Sequence, residues 1–282
     1  MTQDRKIAFV TGASRGIGKA IALALAEIGH DLILSARTRT PGEARDNSLS
    51  VHKSDTRPLP GSLAETAAEV EALGRRALQL PFDLTDRASV GAAAQHILDQ
   101  PDWRDVSVIV HNGRYIGPGL MDVFMDTPLD AYGRFVEAHL VAPVILTRML
   151  LPAMLERGGG TVVTITSSAG YQVPPAPAGQ GGWGLAYAVG KAAGHQLAGT
   201  LHAEYAARGI RAFNVQPGFV ATERNHIAVA DYGKELRGAA PPAAIGAVIQ
   251  WLLTSDEAAA HAGANIEAQQ LCRERGLHPA WD

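Results

Sequence analysis

Apolar and polar positions along the chain alternate between two rhythms. Short, nearly unbroken apolar runs recur at KIAFVTG (6–12), DLILSA (31–36), RALQLPF (76–82), VSVIVHN (106–112), GTVVTITSS (160–168) and IRAFNVQP (210–217). Their length and β-branched content fit strands covered on both faces. Between them lie longer segments of helical spacing: GIGKAIALALAEIG (16–29), LAETAAEVEALG (63–74), RASVGAAAQHILDQ (87–100), a stretch from about Asp130 to Met154, and AAIGAVIQWLL (243–253). Downstream of YAVGK (187–191), Leu197, Leu201 and Tyr205 recur every four residues, and Gly209 supplies a C-terminal stop. Strands alternating with helices of this length predict βαβ units. The fold class is therefore α/β, a doubly wound parallel sheet with helices on both faces.

Three segments break the rhythm. Residues 38–61, 172–184 and 223–242 are rich in polar residues, Pro or Gly and read as long loops. Each follows a strand end, on the side where an open parallel sheet binds ligands. Composition narrows the picture further. The net charge of −3 over 282 residues gives no whole-chain signal for nucleic acid or an anionic membrane. One cysteine, Cys272, excludes an intrachain disulfide and suits a reducing compartment. The start MTQDRKIAFVTG has no signal-peptide core, and the apolar stretch at 16–36 carries Lys19, Glu27, His30 and Asp31. A cytoplasmic protein with neither membrane nor nucleic-acid partner is expected, and no metal site is read.

Candidate chemistry begins where the first strand meets the first helix. TGASRGIG (11–18) places Gly12, Gly16 and Gly18 where missing Cβ atoms permit a tight turn and close approach of an anion. A helix starting near Gly16 offers free N–H groups and a positive dipole end to a pyrophosphate. Farther along, Tyr187 and Lys191 stand four apart, on one face of a helix. A free phenol has a pKa near 10, and a neighbouring ammonium favours its ionised form. Ser167 adds a hydroxyl able to hold a substrate oxygen.

TGASRGIG followed by YxxxK resembles the short-chain dehydrogenase/reductase family, and further segments match in order over about residues 5–265. The resemblance implies a Rossmann-like fold, one dinucleotide-binding oxidoreductase domain over 1–282, NAD(P)(H), and interconversion of a small-molecule alcohol and carbonyl. It assigns cofactor contacts to Gly12, Ser14, Arg15, Gly16, Ile17 and Gly18, and to Asp83 and Leu84 in DLTD (83–86). It extends them to Asn112 and Gly113, to Tyr187 and Lys191, and to Pro217, Gly218, Val220 and Thr222 in QPGFVATE (216–223). The catalytic serine falls on Ser167, with Ser168 as its neighbour and rival. Cofactor choice is read at the end of the second strand. Ala36 stands where NAD users of the family commonly carry an acid, and Arg37 follows it. With Arg15 as a second candidate for a 2′-phosphate, NADP(H) is expected over NAD(H).

Three places depart from the family pattern. HNGR (111–114) replaces NNAG, keeping Asn112 but putting Arg114 in a glycine position, toward solvent or toward the active-site mouth. The helical asparagine falls on His139, whose catalytic contribution would pass through its main-chain carbonyl. Pro143 has no N–H, so that carbonyl loses its i+4 donor. The acidic-Gly-Gly segment near the C-terminus is absent, which leaves a homo-oligomer expected as either dimer or tetramer. The loop 38–61 is expected to cover the adenosine end of the cofactor. Trp183, Phe219, Ile227, Val229 and Tyr232 suggest an apolar or aromatic carbonyl substrate. The alternative is a degenerate member that binds nucleotide as a sensor or scaffold without turnover.

Overall fold

The computed structural model describes residues 6–232 and 236–281, with the backbone alone for 228–232. Among these residues, seven strands form one parallel sheet. They are β1 (Ile7–Thr11), β2 (Asp31–Ser35), β3 (Ala77–Gln79), β4 (Val106–His111), β5 (Gly160–Ile165), β6 (Ile210–Gln216) and β7 (Asn265–Glu267), in the order β3-β2-β1-β4-β5-β6-β7. The helices are α1 (Gly16–Glu27), α2 (Leu63–Ala72), α3 (Arg87–Asp99), α4 (Leu129–Val136), α5 (Ala142–Glu156), α6 (Leu185–Tyr205), α7 (Glu223–Tyr232), α8 (Pro242–Thr254) and α9 (Ala268–Arg275).

The strands read as apolar runs because both of their faces are covered. Ala8, Val10, Leu32, Leu34, Val163 and Val215 pack with Ile21 and Leu25 of α1 and Ile245 and Ile249 of α8. The alternate positions Phe9, Ile33, Ile109, Val162 and Ala212 pack with Val90 and Ile97 of α3 and Leu146 and Leu150 of α5. Helix starts are set by local chemistry. Ser62 Oγ accepts from the Glu65 N–H and donates to the Glu65 carboxylate at α2, and Asp86 accepts from the N–H groups of Ala88 and Ser89 at α3. Each such cap contributes about 1 kcal/mol.

Two expectations need correction. Residues 223–242 are not a continuous loop, because α7 occupies Glu223–Tyr232; its mixed composition hides the helical period. The helical region 130–154, in which Pro143 suggests a local irregularity, is interrupted just before that proline rather than at it. A π turn at Glu137–Val141 separates α4 from α5, and the Ala142 N–H donates to the Glu137 carbonyl, five residues back. Pro143 then sits in the first turn of α5. By length and composition Leu129–Glu156 passes as a membrane-crossing helix, yet Ala142, Leu146, Leu150 and Met154 are buried against the sheet.

Residues 38–61 form a strap rather than a free surface loop. It leaves β2, reaches the segment after β4, and returns to α2. On the way the Met121 N–H donates to the Leu49 carbonyl (3.0 Å), and Ser50 Oγ and the Val51 N–H donate to the Asp122 carboxylate. Arg224 of α7 fastens the middle: it is buried, donates to the Asn47 carbonyl and lies 3.6 Å from Oδ2 of the largely covered Asp55. Replacing Asp55 by Asn removes one charge of this clasp. Amide exchange is expected to speed up across residues 47–59 and to stay unchanged in β1, β4 and β5, as read by hydrogen–deuterium exchange of ligand-free protein. Unchanged exchange in the strap would show that the clasp does not hold it.

Candidate functional site

The order of the strands reverses between β1 and β4, so the loops leaving these two strands part and open a crevice at their carboxyl ends. Thr11 and Asn112 stitch the two strand ends together. Thr11 Oγ1 donates to the Val110 carbonyl and accepts from the N–H groups of Asn112 (3.0 Å) and Gly113 (2.9 Å). The Asn112 amide donates back to the carbonyls of Thr11 (2.9 Å) and Gly12 (3.2 Å). This fixes the start of the glycine loop. Gly12 has φ +69, and a Cβ at Gly18 would collide with the Gly12 carbonyl and the Asn112 amide. Helix α1 begins immediately afterwards. It has no side-chain cap and no acid in its first turn, so its leading N–H groups face the crevice.

The crevice is a cleft of about 710 Å³. Gly12, Ser14, Arg15, Gly16, Ile17 and Gly18 form its floor at one end, beside Arg37, Asp83 and Leu84. Asn112 and Gly113 line the middle, and Ser167, Tyr187 and Lys191 the far end. Pro217, Gly218, Val220 and Thr222 close the side toward β6. Trp183 and Phe219 line the cleft as well, whereas Ile227 is not in its wall; the side chains of Val229 and Tyr232 lie outside the described residues.

Arginines gather at the glycine-loop end. Arg37 stands at the end of β2, where Ala36 leaves no carboxylate, with its Nη1 3.8 Å from Asp83 Oδ2. Arg15 is turned toward the strap and donates to the carbonyls of Pro60 and Gly61, each at 2.7 Å. Its pKa is lowered, first by burial; Glu223 opposes this and Arg37 adds to it. Arg45, from the strap, also lines the cleft and donates to the Arg37 carbonyl and to Glu43.

At the far end, α6 carries Tyr187 and Lys191 on successive turns. Ser167 follows β5 and caps a short turn by accepting from the Ala169 N–H. Lys191 is buried, and its Nζ donates to the Ile165 carbonyl at 2.9 Å. Burial, and secondarily the charge of Arg114, pull its pKa down to about 7.

His139 does not line the main cleft. It sits behind it in the π turn, edge-on to Tyr187 (ring centroids 5.9 Å apart), with neither ring nitrogen partnered among the described residues. Burial, then Lys191 and Arg114, hold its pKa well below the usual histidine value, so the ring is neutral. Its carbonyl faces α6, where only a glycine fits: a Cβ at Gly194 would collide with it. A cavity of about 10 Å³ lies here, lined by His111, His139, Pro143, Thr164 and Lys191 among others. That is room for one water molecule.

Sequence comparison matches these features to known proteins. The short chain dehydrogenase model aligns with residues 6–62 and 56–233. The chain belongs to the short-chain dehydrogenase family. A mouse relative, dehydrogenase/reductase SDR family member 7, is 31% identical over 77% of the chain and 56% of its own length. The chain thus aligns with little more than half of that relative. A putative NAD(P)-dependent gluconate 5-dehydrogenase from Beutenbergia cavernae, solved with bound NADP, superposes with a TM-score of 0.72 at 26% identity, covering 93% of this chain and 94% of the other. The L-sorbose reductase of Gluconobacter frateurii, solved with NADPH and L-sorbose, shares the fold at 24% identity, with a TM-score of 0.70 over 94% and 95% of the two chains. The Rossmann-like fold and membership of a family of NAD(P)-using oxidoreductases are therefore established.

The residues fit such a dinucleotide on structural grounds. The glycine floor and the uncapped start of α1 suit a pyrophosphate, and the loops from β2 and β3 suit the adenosine. Several lining residues escape sequence reasoning. Arg45, Asn47 and Leu49 reach the cleft only because the strap folds across it, and Arg224 because α7 lies against the strap; no local spacing announces either contact.

The depressed Lys191 has a consequence for stability. The unfolded chain keeps the Lys191 proton up to about its ordinary 10.5, the folded chain only up to about 7. Between these values the unfolded state binds more protons, so Lys191 makes stability rise with pH. The stability of the ligand-free protein minus that of Lys191→Met, from urea midpoints, should increase from pH 7 to pH 10, the window those two values define. A flat difference would show that Lys191 titrates normally.

Proposed function

We propose that the chain is an NADP(H)-dependent oxidoreductase that interconverts a carbonyl and a secondary alcohol, with Tyr187 handling the proton. The observation that carries this reading is the convergence of Ser167, Tyr187 and Lys191 on one end of the cleft whose other end is the glycine floor. The nicotinamide, when bound, exchanges a hydride with the substrate carbon. The Ser167 hydroxyl donates to the substrate oxygen and orients it. The Tyr187 phenol gives its proton to that oxygen in reduction and takes it back in oxidation. Lys191, one turn away, moves protons between Tyr187 and the small cavity behind it. Pro143 offers the His139 carbonyl no N–H, and in this reading a water in that cavity donates to it. The same proposal includes a cytoplasmic, homo-oligomeric setting.

The preference for NADP(H) rests on Arg37, Arg15 and Arg45 around a position where Ala36 stands in place of an acid. Arg15 is held by strap carbonyls, so Arg37 is the principal contact for a 2′-phosphate. Its guanidinium fork matches the phosphate oxygens.

Two measurements test the reading. With NADPH and a panel of ketones and aldehydes, Tyr187→Phe is expected to lose roughly 10²–10⁴-fold in kcat while its NADPH Kd changes little. Turnover near the wild-type rate would remove Tyr187 from the chemistry, and no turnover by the wild type on any compound would favour a nucleotide-binding role. Arg37→Asp is expected to weaken NADPH by roughly ten- to a hundredfold and NADH far less. Equal losses for the two cofactors in a fluorescence titration would show that Arg37 does not read the phosphate.

A further inference from the structure

The arginines in the cleft wall differ in one respect. Arg15 is held by the Pro60 and Gly61 carbonyls, Arg37 lies against Asp83, Arg45 against Glu43, and Arg224 against Asp55. Arg114 lines the same cleft, is exposed, and makes no hydrogen bond or ion pair among the described residues. Its position is set by the chain on either side. Gly113 packs against Gly12 at the strand stitch. Tyr115 stands edge-on to Phe135 (4.9 Å between centroids), and Phe135 is edge-on to Tyr187 (6.0 Å). The segment 113–116 thus runs along the Tyr187 end of the cleft, away from the arginines at the glycine-loop end.

The acids of the cleft wall do not answer Arg114. Asp83 lies beside Arg37, and Glu223 is near Gly16 and Arg15. Arg114 is close enough to Lys191 and His139 for its charge to disfavour protonation of both. The free site therefore holds two basic side chains at its far end with no carboxylate between them. Nothing in the proton chemistry of Tyr187 calls for a guanidinium. The wall here also carries the apolar side chains of Ile116, Leu120, Met121 and Trp183.

We propose that Arg114 anchors a carboxylate carried by the carbonyl substrate, so that the substrate class is an oxo acid and its hydroxy acid counterpart. The guanidinium accepts the carboxylate through two parallel N–H donations and fixes the angle at which the carbonyl meets Ser167 and Tyr187. An apolar or aromatic body lies against Ile116, Leu120 and Trp183. This inference rests on the reading of the chain as a carbonyl/alcohol oxidoreductase.

The test uses benzoylformate, levulinate and their methyl esters with NADPH, on wild type, Arg114→Gln and Arg114→Lys, with kcat, KM and the NADPH Kd measured for each. The wild type is expected to prefer at least one acid over its ester. Arg114→Gln should raise that acid's KM by roughly ten- to a hundredfold, shift the ester far less, and leave the NADPH Kd within about twofold. Arg114→Lys should restore part of the preference. Equal effects on acid and ester would overturn the proposal. So would a loss of NADPH affinity as large as the rise in KM, which would assign Arg114 to the cofactor. If no compound is turned over, calorimetric binding of the same acids and esters to the NADPH-loaded protein decides separately. Acid binding that Arg114→Gln abolishes would keep the anchor and discard the oxidoreductase reading, and binding indifferent to the carboxylate would discard the anchor.

Discussion

The site depends on the stitch between Thr11 and Asn112. A parallel sheet parts its loops wherever strand order reverses, and an opened crevice exposes backbone groups on both sides. Here one hydroxyl and one carboxamide satisfy those groups, joining the carbonyls of Thr11, Gly12 and Val110 to the N–H groups of Asn112 and Gly113. The same contacts set the depth of the glycine loop, because the Asn112 amide occupies the space that a Cβ on Gly18 would need. Fold and cofactor cradle are thus two outcomes of one small hydrogen-bonded unit.

Charge is distributed unevenly along the cleft. Basic side chains gather where phosphates are expected, and strap carbonyls or nearby acids hold them in place. At the other end, burial keeps Lys191 near neutrality and leaves His139 uncharged. A deeply placed lysine that exchanges its proton close to neutral pH suits proton transfer better than one locked as an ammonium. The neutral histidine ring fills space beside Tyr187 without adding a third charge.

Much of the fold was legible in the sequence because parallel strands covered on both faces must be apolar throughout. The runs around Phe9, Ile33, Ile109, Val162 and Phe213 announced themselves for that reason. Strand β7 did not, since it is three residues long and buries only Ile266. Helix α7 was hidden by its composition, and the π turn by an almost continuous helical period. In the site, contacts made by residues near one another in sequence were readable: the glycine loop, and Tyr187 with Lys191. The placement of Arg114 was not, because a residue leaving a strand end takes its direction from what packs on either side. Arg45, Asn47 and Leu49 were unnamed for a related reason: the expectation that loop 38–61 covers the adenosine end gives the destination of the segment but not which of its side chains face the cleft.

The clasp between strap and α7 also dictates an order of assembly. Asn47 and Arg224 are separated by 177 positions. A chain made from its N-terminus presents residues 38–61 long before their fastening point exists. Contacts of such long range form only after the intervening sheet has closed the loop between them. On the ribosome, the roof of this cleft is therefore completed after its floor.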